Sequence, residues 1–424
     1  MKLLVEPSRE LPILQVVATF RVGGAHDPSG LEGLARVTAR MLRRGTTRRT
    51  GDELEERFDA LGAEFAANVG LSATSVGVET VVRSSEEAIA LAAEVLAEPA
   101  FDEVELEKLK RQIEAEIVAS RDEDDALASR ALRRHLFAGH LHGRRVQGSV
   151  ASVRAITRED VVAHYRRAFC RANVVVAIGG DVEASDAERI AEKLLAGLPE
   201  GERVSYPAPE PTLPKGRRLV IVEKPERSQC QLGVGTLGTR LSDDDHAALV
   251  LANTVFGGMF TSRLTQEIRV KRGWSYGASS GLMSGHVREA FTIWSAPSID
   301  DAAACLGVEL ELLERLVEDG LTDDELRFAR EYLRRSYAFE IDTAKKRLQQ
   351  RLDCELFCLP EDFHRRTLER IGTVDAGEAS AAVRRRLDPG ALWVAVVASD
   401  GKLVEDLRAT TRWDAIQVEP FDRD

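Results

Sequence analysis

The sequence predicts an α+β protein built from two homologous domains, each a mostly antiparallel sheet flanked by helices. Three segments of the first half recur in the second half, in the same order and with the same residue patterns. A proline-rich stretch lies between the two copies. We therefore assign residues 1–198 and 219–424 to two domains, and residues 199–218 to the linker that joins them.

The first repeated segment is a strand pattern that runs into an acidic turn. QVVATFRVGGAHD begins at Gln15 and QLGVGTLGTRLSDD begins at Gln231, an offset of 216 residues. Apolar residues alternate with other residues in both segments, which is typical of a strand with one buried face. A helix is expected after this strand in each copy.

The second repeated segment is a pair of helices, at 84–117 and again at 298–337. Apolar residues recur at three- and four-residue spacing, and an acidic or hydroxyl residue opens the second helix of each pair. Further strands are predicted at 72–82 and 289–295. Because the stretch that begins at Gly70 is similar to a hairpin, antiparallel neighbours are expected.

The third repeated segment is an apolar strand that closes on an aspartate. ANVVVAIGGD at 172–181 matches ALWVAVVASD at 391–400, an offset of 219 residues. Between the copies, residues 196–218 contain five prolines and few bulky apolar residues. That composition predicts an extended linker.

Composition excludes several classes of protein. A chain of 424 residues with 44% hydrophobic and 30% charged residues is long enough for two cores. Neither the first residues nor the longest apolar stretches, such as 392–398, match a signal peptide or a membrane span, so we expect a cytoplasmic protein with no membrane partner. A net charge of −12 argues against nucleic-acid binding. The acidic runs at 122–125 and 243–245 are interpreted as surface residues that keep the protein soluble. The alternative is that they favour the binding of basic peptides.

The five cysteines are too few and too scattered for a disulfide framework, so reduced thiols are expected. Cys354 and Cys358 have the spacing of one helical turn, but no second cysteine pair or nearby histidine completes a metal site. We interpret them as two core thiols on one helix face.

The segment GLARVTARMLRRGT, at 33–46, carries a resemblance to a known family. It resembles the insulinase/pitrilysin family of zinc metallopeptidases, processing-peptidase branch, which reads roughly GLAHxxEHMxxxGT. The resemblance implies a metallopeptidase roll-like fold, two zinc-binding histidines on one helix face, and a glutamate that activates the metal-bound water. This chain has Arg36, Ala39 and Arg40 at those three positions.

The resemblance also implies that Glu116 occupies the position of the third zinc ligand, 76 residues after Arg40. A guanidinium has no lone pair to give to a metal, and Ala39 offers no base, so we expect no zinc and no hydrolysis at this site. We predict instead that Arg36 and Arg40 face Glu116 in a half-buried ion pair. The alternative is that both arginines lie on a solvated face.

Three histidines, His135, His140 and His142, have spacings that a metal could use. The stretch HLHGRRVQG, however, resembles the family's HPYGxPVxG loop, which is structural. We favour a structural loop.

In the second copy, VFGGMFTSRLTQEIRVKRGWSYGASSGL at 255–282 resembles the family's glycine turn, SRL helix and Arg…Tyr element. Arg269 and Tyr276 stand seven residues apart, as in the family. The resemblance implies that the Tyr276 hydroxyl binds near the reacting carbonyl and that Arg269 anchors the substrate. A helix-terminal arginine and a strand aromatic are the simpler alternative, and Trp274 is expected to pack.

These patterns predict the non-catalytic subunit of a heterodimeric zinc peptidase, inactive alone. The expected partner is a homologous chain with HxxEH that carries the zinc, and the expected substrate is a peptide or unfolded segment bound along a sheet edge. The alternative is a structural or peptide-binding member, a homodimer or a complex core subunit, with no proteolytic role. A self-sufficient peptidase with an unrecognised metal site is less favoured.

Overall fold

The structure, a computed structural model, describes residues 1–213, 215–283, 285–399 and 401–423. The strands are β1 Lys2–Pro7, β2 Ile13–Phe20, β3 Ala63–Val69, β4 Thr74–Val81, β5 Val174–Gly180, β6 Gly216–Glu223, β7 Gln231–Leu237, β8 Ala278–Leu282, β9 Ala290–Ser295, β10 Ala391–Ala398 and β11 Ala415–Pro420. The α-helices are α1 Leu34–Met41, α2 Gly51–Leu61, α3 Ser85–Ala97, α4 Glu103–Ala119, α5 Asp124–Leu136, α6 Val150–Ala155, α7 Arg158–Ala168, α8 Ala184–Leu195, α9 His246–Asn253, α10 Ile299–Glu318, α11 Asp323–Glu340, α12 Ala344–Leu356, α13 Phe363–Thr373, α14 Ala376–Arg386 and α15 Gly401–Thr410.

The chain forms two compact units, each around one sheet. Unit 1 consists of Met1–Ile117, Arg144–Pro207 and Ala338–Glu361. Unit 2 consists of Val118–Gly143, Ala208–Tyr337 and the chain from Asp362 onward.

The two sheets have the same topology, which confirms the predicted α+β class with two copies of one unit. The sheet of unit 1 has the order β1-β5-β2-β4-β3, and that of unit 2 has the order β11-β6-β10-β7-β9-β8. In each, one outer pair is parallel (β1 with β5, β6 with β10) and the following pairs are antiparallel. Strand β11 is an additional parallel edge strand in unit 2.

The repeated strands are buried in the way that their residue patterns predict. Strand β2 buries Leu14, Val16 and Ala18 on one face, as its alternation predicts. Strand β10 is buried along its whole length because both of its faces are covered. Helix α5 packs on one face, and the helices of the main core of unit 2 pack on the other. The predicted hairpin is also present, since β3 and β4 pair antiparallel.

One helix from each half of the sequence belongs to the unit formed mainly by the other half. Helix α5 packs on β7 and β10 in unit 2, where Leu132 and Leu136 contact the apolar face that includes Val220. Helix α12 packs on β1 and β5 in unit 1 through Leu348 and Leu352. The sequence repeat does not reveal this exchange. The ranges 1–198 and 219–424 stay a prediction for the extent of the two sequence copies.

Residues 199–213 form no helix or strand, and β6 begins at Gly216, inside the predicted linker. Pro214, in that linker, and Asp400, which ends the second copy of the third repeat, lie outside the described residues. Among the helices that the structure describes, none is long and apolar enough to cross a membrane.

Two minor predictions were wrong. Cys354 is buried in α12, but Cys358 follows the end of that helix, is exposed, and has a φ of 55°, so the two thiols do not share a helix face. The acidic run at 243–245 is solvated only at Asp244: the side chains of Asp243 and Asp245 are 6% and 9% exposed, and both pair with Arg386. The second error arose because paired carboxylates and solvated ones look alike in a sequence.

Candidate functional site

Helix α1 presents Arg36 and Arg40 on the side opposite the core of unit 1. Its residues Leu34, Val37 and Met41 are 3%, 0% and 1% exposed, and they recur at three- and four-residue spacing. The two arginines, one turn apart, are therefore directed away from the core toward α4.

The structure brings Arg36 and Arg40 together on Glu116 of α4. The Arg40 guanidinium donates from Nη1 to Oε2 at 2.7 Å and from Nη2 to Oε1 at 2.8 Å, while Arg36 Nη2 donates to Oε2 at 2.9 Å. The side chains of Arg36, Arg40 and Glu116 are 27%, 23% and 37% exposed. The three form a half-buried charged cluster with a doubly bonded Arg40–Glu116 pair at its centre.

The electrostatics of this cluster hold Glu116 ionised. The hydrogen bond from Arg40, followed by the charges of both arginines, lowers the pKa of the Glu116 carboxyl against the opposing effect of burial. Burial, and then repulsion from Arg40, lowers the pKa of Arg36. One carboxylate therefore faces two cations, and one positive charge stays uncompensated inside the cluster.

These residues do not fit a zinc ion. Two guanidiniums occupy the space around the one carboxylate, and neither has a lone pair for a metal. Ala39, where a general base would stand, is 1% exposed and apolar. Within the described residues, no group of three or more His, Cys, Asp or Glu side chains could hold a metal ion.

Asp27, which the sequence analysis did not single out, positions α1. Its carboxylate accepts hydrogen bonds from the backbone N–H groups of Gly33 at 2.8 Å and Ala35 at 2.9 Å, at the start of the helix. Burial raises the pKa of Asp27 to about 7. The available sequence signal was its place as an aspartate a few residues before a helical pattern.

The charged cluster lies in a cleft of about 1260 Å³ within unit 1. The cleft is also lined by Ala67, Asn68 and Val69, on β3. Strand β3 ends the sheet order, so one of its edges pairs with no strand in the described part of the chain. The cleft therefore offers free backbone hydrogen-bonding groups next to the cluster of Arg36, Arg40 and Glu116.

In unit 2, the chain before Tyr276 contains two π-helical stretches, Thr254–Gly258 and Thr265–Lys271, and the second carries Arg269. The sequence predicted a turn and a helix here but did not indicate the π-helical winding. Gly257 lets the first stretch approach β8 closely, because a Cβ at that position would lie 2.3 Å from the backbone nitrogen of Ser280. Short π-helical stretches are frequent at functional sites.

Arg269 lies between two aromatic rings. Its Cζ is 4.5 Å from the ring centroid of Tyr276 and 4.9 Å from that of Phe260, within the range of cation–π attraction. Tyr276 is 87% exposed and Phe260 is 62% exposed. In the described part of the chain, the Arg269 guanidinium makes no ion pair and stacks on these two exposed rings.

The neighbouring Trp274 packs, as predicted. It is partly buried against the core of unit 2, and the Cζ of Arg272 lies 4.9 Å from its ring centroid. It is therefore a support for this segment.

The three histidines are held in structural contacts within unit 2. His142 Nδ1 lies 2.7 Å from Glu289 Oε1, and His140 Nε2 lies 2.8 Å from the carbonyl oxygen of Pro209. His135 stacks on Trp393 at a centroid distance of 4.6 Å. These contacts agree with a structural loop.

Comparison with known families gives matches in both halves of the chain. The model of the family described as insulinase (peptidase family M16) matches residues 9–148, and the model described as the peptidase M16 inactive domain matches residues 155–333. Together the two matches span most of the sequence.

Named relatives match over nearly the full length. The chain is 23% identical over 399 residues to a Helicobacter pylori protein named non-peptidase homolog YmxG, covering 94% of this chain and 92% of the relative. It is 28% identical over 397 residues to an uncharacterized zinc protease of Mycobacterium tuberculosis, covering 92% and 89%. The solved peptidase M16 inactive domain from Pseudomonas fluorescens matches with a TM-score of 0.87 at 26% identity, covering 94% of this chain and 95% of that one.

Proposed function

Because the chain belongs to the insulinase family of peptidases (M16) and has lost the residues of the zinc site, we propose that it is the non-catalytic subunit of a two-chain zinc peptidase. Its proposed partner is a homologous chain with an intact HxxEH motif that holds the zinc. Its proposed contribution is the pair Arg269 and Tyr276, for cleavage of peptides or unfolded segments.

The exposed Arg269–Tyr276 pair carries this proposal. A tyrosine that is 87% exposed, stacked on an arginine with no ion-pair partner in the described part of the chain, stabilises the fold very little. The stacking instead fixes two polar groups that are free to bind something outside the chain. A site for a substrate that another subunit cleaves accounts for this arrangement.

The two groups suit the stabilisation of a peptide carbonyl. The Tyr276 hydroxyl can donate a hydrogen bond to a carbonyl oxygen on which negative charge develops, and Arg269 supplies a fixed positive charge and up to five N–H donors. Loss of one such donor costs about 3 kcal/mol of transition-state stabilisation in other enzymes. The partner's zinc would supply the activated water.

The edge of β3 supports peptide binding by the same chain. An extended peptide that pairs with the free side of β3 would gain backbone hydrogen bonds, which make little demand on its sequence. Ala67, Asn68 and Val69 of this strand line the same cleft as the charged cluster. A cytoplasmic location and the absence of a membrane partner stay predictions from the sequence.

A structural or peptide-binding role without proteolysis is the second candidate. The name of the H. pylori relative, non-peptidase homolog, favours it. In this role the chain would form a homodimer or a core subunit of a complex, and Arg269 and Tyr276 would only hold peptide.

The two candidates are separated by reconstitution with an HxxEH homologue, sought first as the product of an adjacent gene. In the peptidase role, Arg269→Ala and Tyr276→Phe each lower kcat/KM of the pair by about tenfold or more. Tyr332→Phe, which alters an exposed tyrosine on α11, is the matched control and leaves the rate unchanged. Equal rates for all variants would reject the shared site and leave the binding role.

A further inference from the structure

The cluster of Arg36, Arg40 and Glu116 has binding capacity that the ion pair does not use. Within the described part of the chain, Glu116 takes three of the ten N–H donors that the two guanidiniums possess. All three side chains are between 23% and 37% exposed, so solvent and ligands reach them.

We propose that this cluster, which lines the cleft in unit 1, binds a carboxylate of an extended peptide that lies along the edge of β3. This inference rests on the proposed function, which supplies the peptide as the ligand. It adds the chemical group of that peptide that the site recognises. A planar carboxylate can accept two parallel hydrogen bonds from a guanidinium, as Glu116 does from Arg40. The incoming carboxylate would compensate the remaining positive charge.

The other charges that line the cleft favour a peptide over a more highly charged anion. Besides the cluster, the cleft is lined by four arginines and five carboxylates: Arg43, Arg44, Arg48, Arg49, Asp52, Glu53, Glu55, Asp102 and Glu105. Since these charges nearly cancel, a nucleic-acid strand or a polyphosphate would find no positive surplus beyond the cluster, whereas a peptide brings one carboxylate between neutral backbone groups. The adjacent free edge of β3 supplies the hydrogen bonds that such a backbone needs.

The carboxylate could be an aspartate or glutamate side chain, or the terminus of the peptide. Both have the same chemistry, and three labelled peptides of equal length distinguish them. The first is amidated and carries a central aspartate, the second has a free carboxyl terminus and no acidic side chain, and the third is amidated with asparagine in the central position.

The test is fluorescence anisotropy of these peptides with the purified full chain alone, without zinc or a partner chain. We expect at least one carboxylate-bearing peptide to bind about tenfold more tightly than the asparagine peptide. Arg36→Gln and Arg40→Gln should remove that preference. Arg154→Gln is the matched control, because Arg154 pairs with Glu114 on the same helix α4 but does not line the cleft, and it should keep the preference.

Glu116→Gln should change the affinity for the carboxylate peptide in the opposite direction. Glu116 competes with the ligand for the same donors, so its replacement should tighten binding of the carboxylate peptide severalfold; a merely structural cluster would not respond in this way. Equal binding of all three peptides, an unchanged preference in Arg40→Gln, or equally strong competition by inorganic phosphate would overturn the proposal. If Glu116→Gln does not fold in a thermal melt, the two arginine variants decide the outcome. Because no cleavage is measured, failure here is independent of the Arg269–Tyr276 test.

Discussion

The Arg40 guanidinium donates parallel hydrogen bonds to both carboxylate oxygens of Glu116, at 2.7 and 2.8 Å. The family resemblance predicts that these two positions correspond to metal ligands. In this chain an ion pair between α1 and α4 joins them.

Restoring the ligands should restore the metal. The triple variant R36H/A39E/R40H places two neutral imidazoles one turn apart on α1, opposite Glu116, and a possible base between them. We expect about one zinc ion per chain in this variant and none in the wild type, measured by elemental analysis after dialysis against zinc and removal of unbound metal. A wild-type chain with bound zinc that is lost in Glu116→Ala would contradict the assignment.

Removing Glu116 should destabilise unit 1. Glu116→Ala leaves two half-buried guanidiniums facing each other without a counter-charge, and we expect a loss of about 1–2 kcal/mol in the free energy of unfolding, reduced from the fully buried case by solvent. Denaturant unfolding measures this loss. Glu114→Ala, on the same helix and paired with the exposed Arg154, is the control and should cost less.

The same pair predicts a pH dependence. Because the pKa of Glu116 is lowered from its ordinary value of 4.5, the unfolded chain binds the proton more tightly than the folded chain. The stabilisation is present above 4.5 and is lost as pH falls through the lower, folded-state pKa. The difference in stability between wild type and Glu116→Ala should therefore shrink under acid conditions; a constant difference would contradict the ion pair.

Gly257→Ala should displace the segment that holds Arg269 and Tyr276. The new Cβ would lie 2.3 Å from the backbone nitrogen of Ser280, so we expect a loss of about 1–3 kcal/mol and a lower activity of the reconstituted pair. Gly277→Ala is the control, because a Cβ at that position meets no atom within 4 Å. Thermal melts and the cleavage assay give the two readouts, and equal behaviour of both variants would show that the close approach to β8 is dispensable.

Glu309, on α10, should make unit 2 less stable as pH rises from about 4.5 to about 7. It is 0% exposed, and burial raises its pKa to about 7, against a smaller opposing effect of a hydrogen bond with Ser295. Because the folded-state value lies above the ordinary 4.5, stability is complete below 4.5 and falls as pH rises through about 7.

Glu309→Gln removes this titration. Its stability relative to wild type should rise by about 2–3 kcal/mol between about pH 5 and about pH 9, as measured by urea unfolding. Glu311→Gln, which changes an exposed residue of the same helix, should show no such rise. A parallel pH profile for Glu309→Gln and wild type would mean that Glu309 does not titrate between the two states.

Much of the fold could be predicted because the sequence contains two copies of it. The strand beginning near Gln15 and the one beginning at Gln231 occupy equivalent places, as β2 and β7, in sheets of the same order. Strand β11 and the exchange of α5 and α12 could not be predicted, since local patterns show which face of a helix is apolar but not which sheet that face will cover.

The residues of the candidate site could be predicted from the sequence, but the packing around them could not. The family motif and helical spacing led to Arg36, Arg40 and Glu116, and the structure brings all three together. The sequence could not show the close approach of Gly257 to β8, because that contact joins segments that are distant in the chain. Nor could it show that Glu309 is enclosed, since burial arises from tertiary packing.

The exchange of α5 and α12 has a consequence for dividing this chain. A fragment that contained only the second sequence copy would lack α5, so the apolar strip formed by Val220 and Val397 would lose the helix that covers it. A fragment that contained only the first copy would lack α12, which packs on β1 and β5. Neither copy is therefore a self-sufficient folding unit, and a dissection into separate domains has to transfer one helix in each direction.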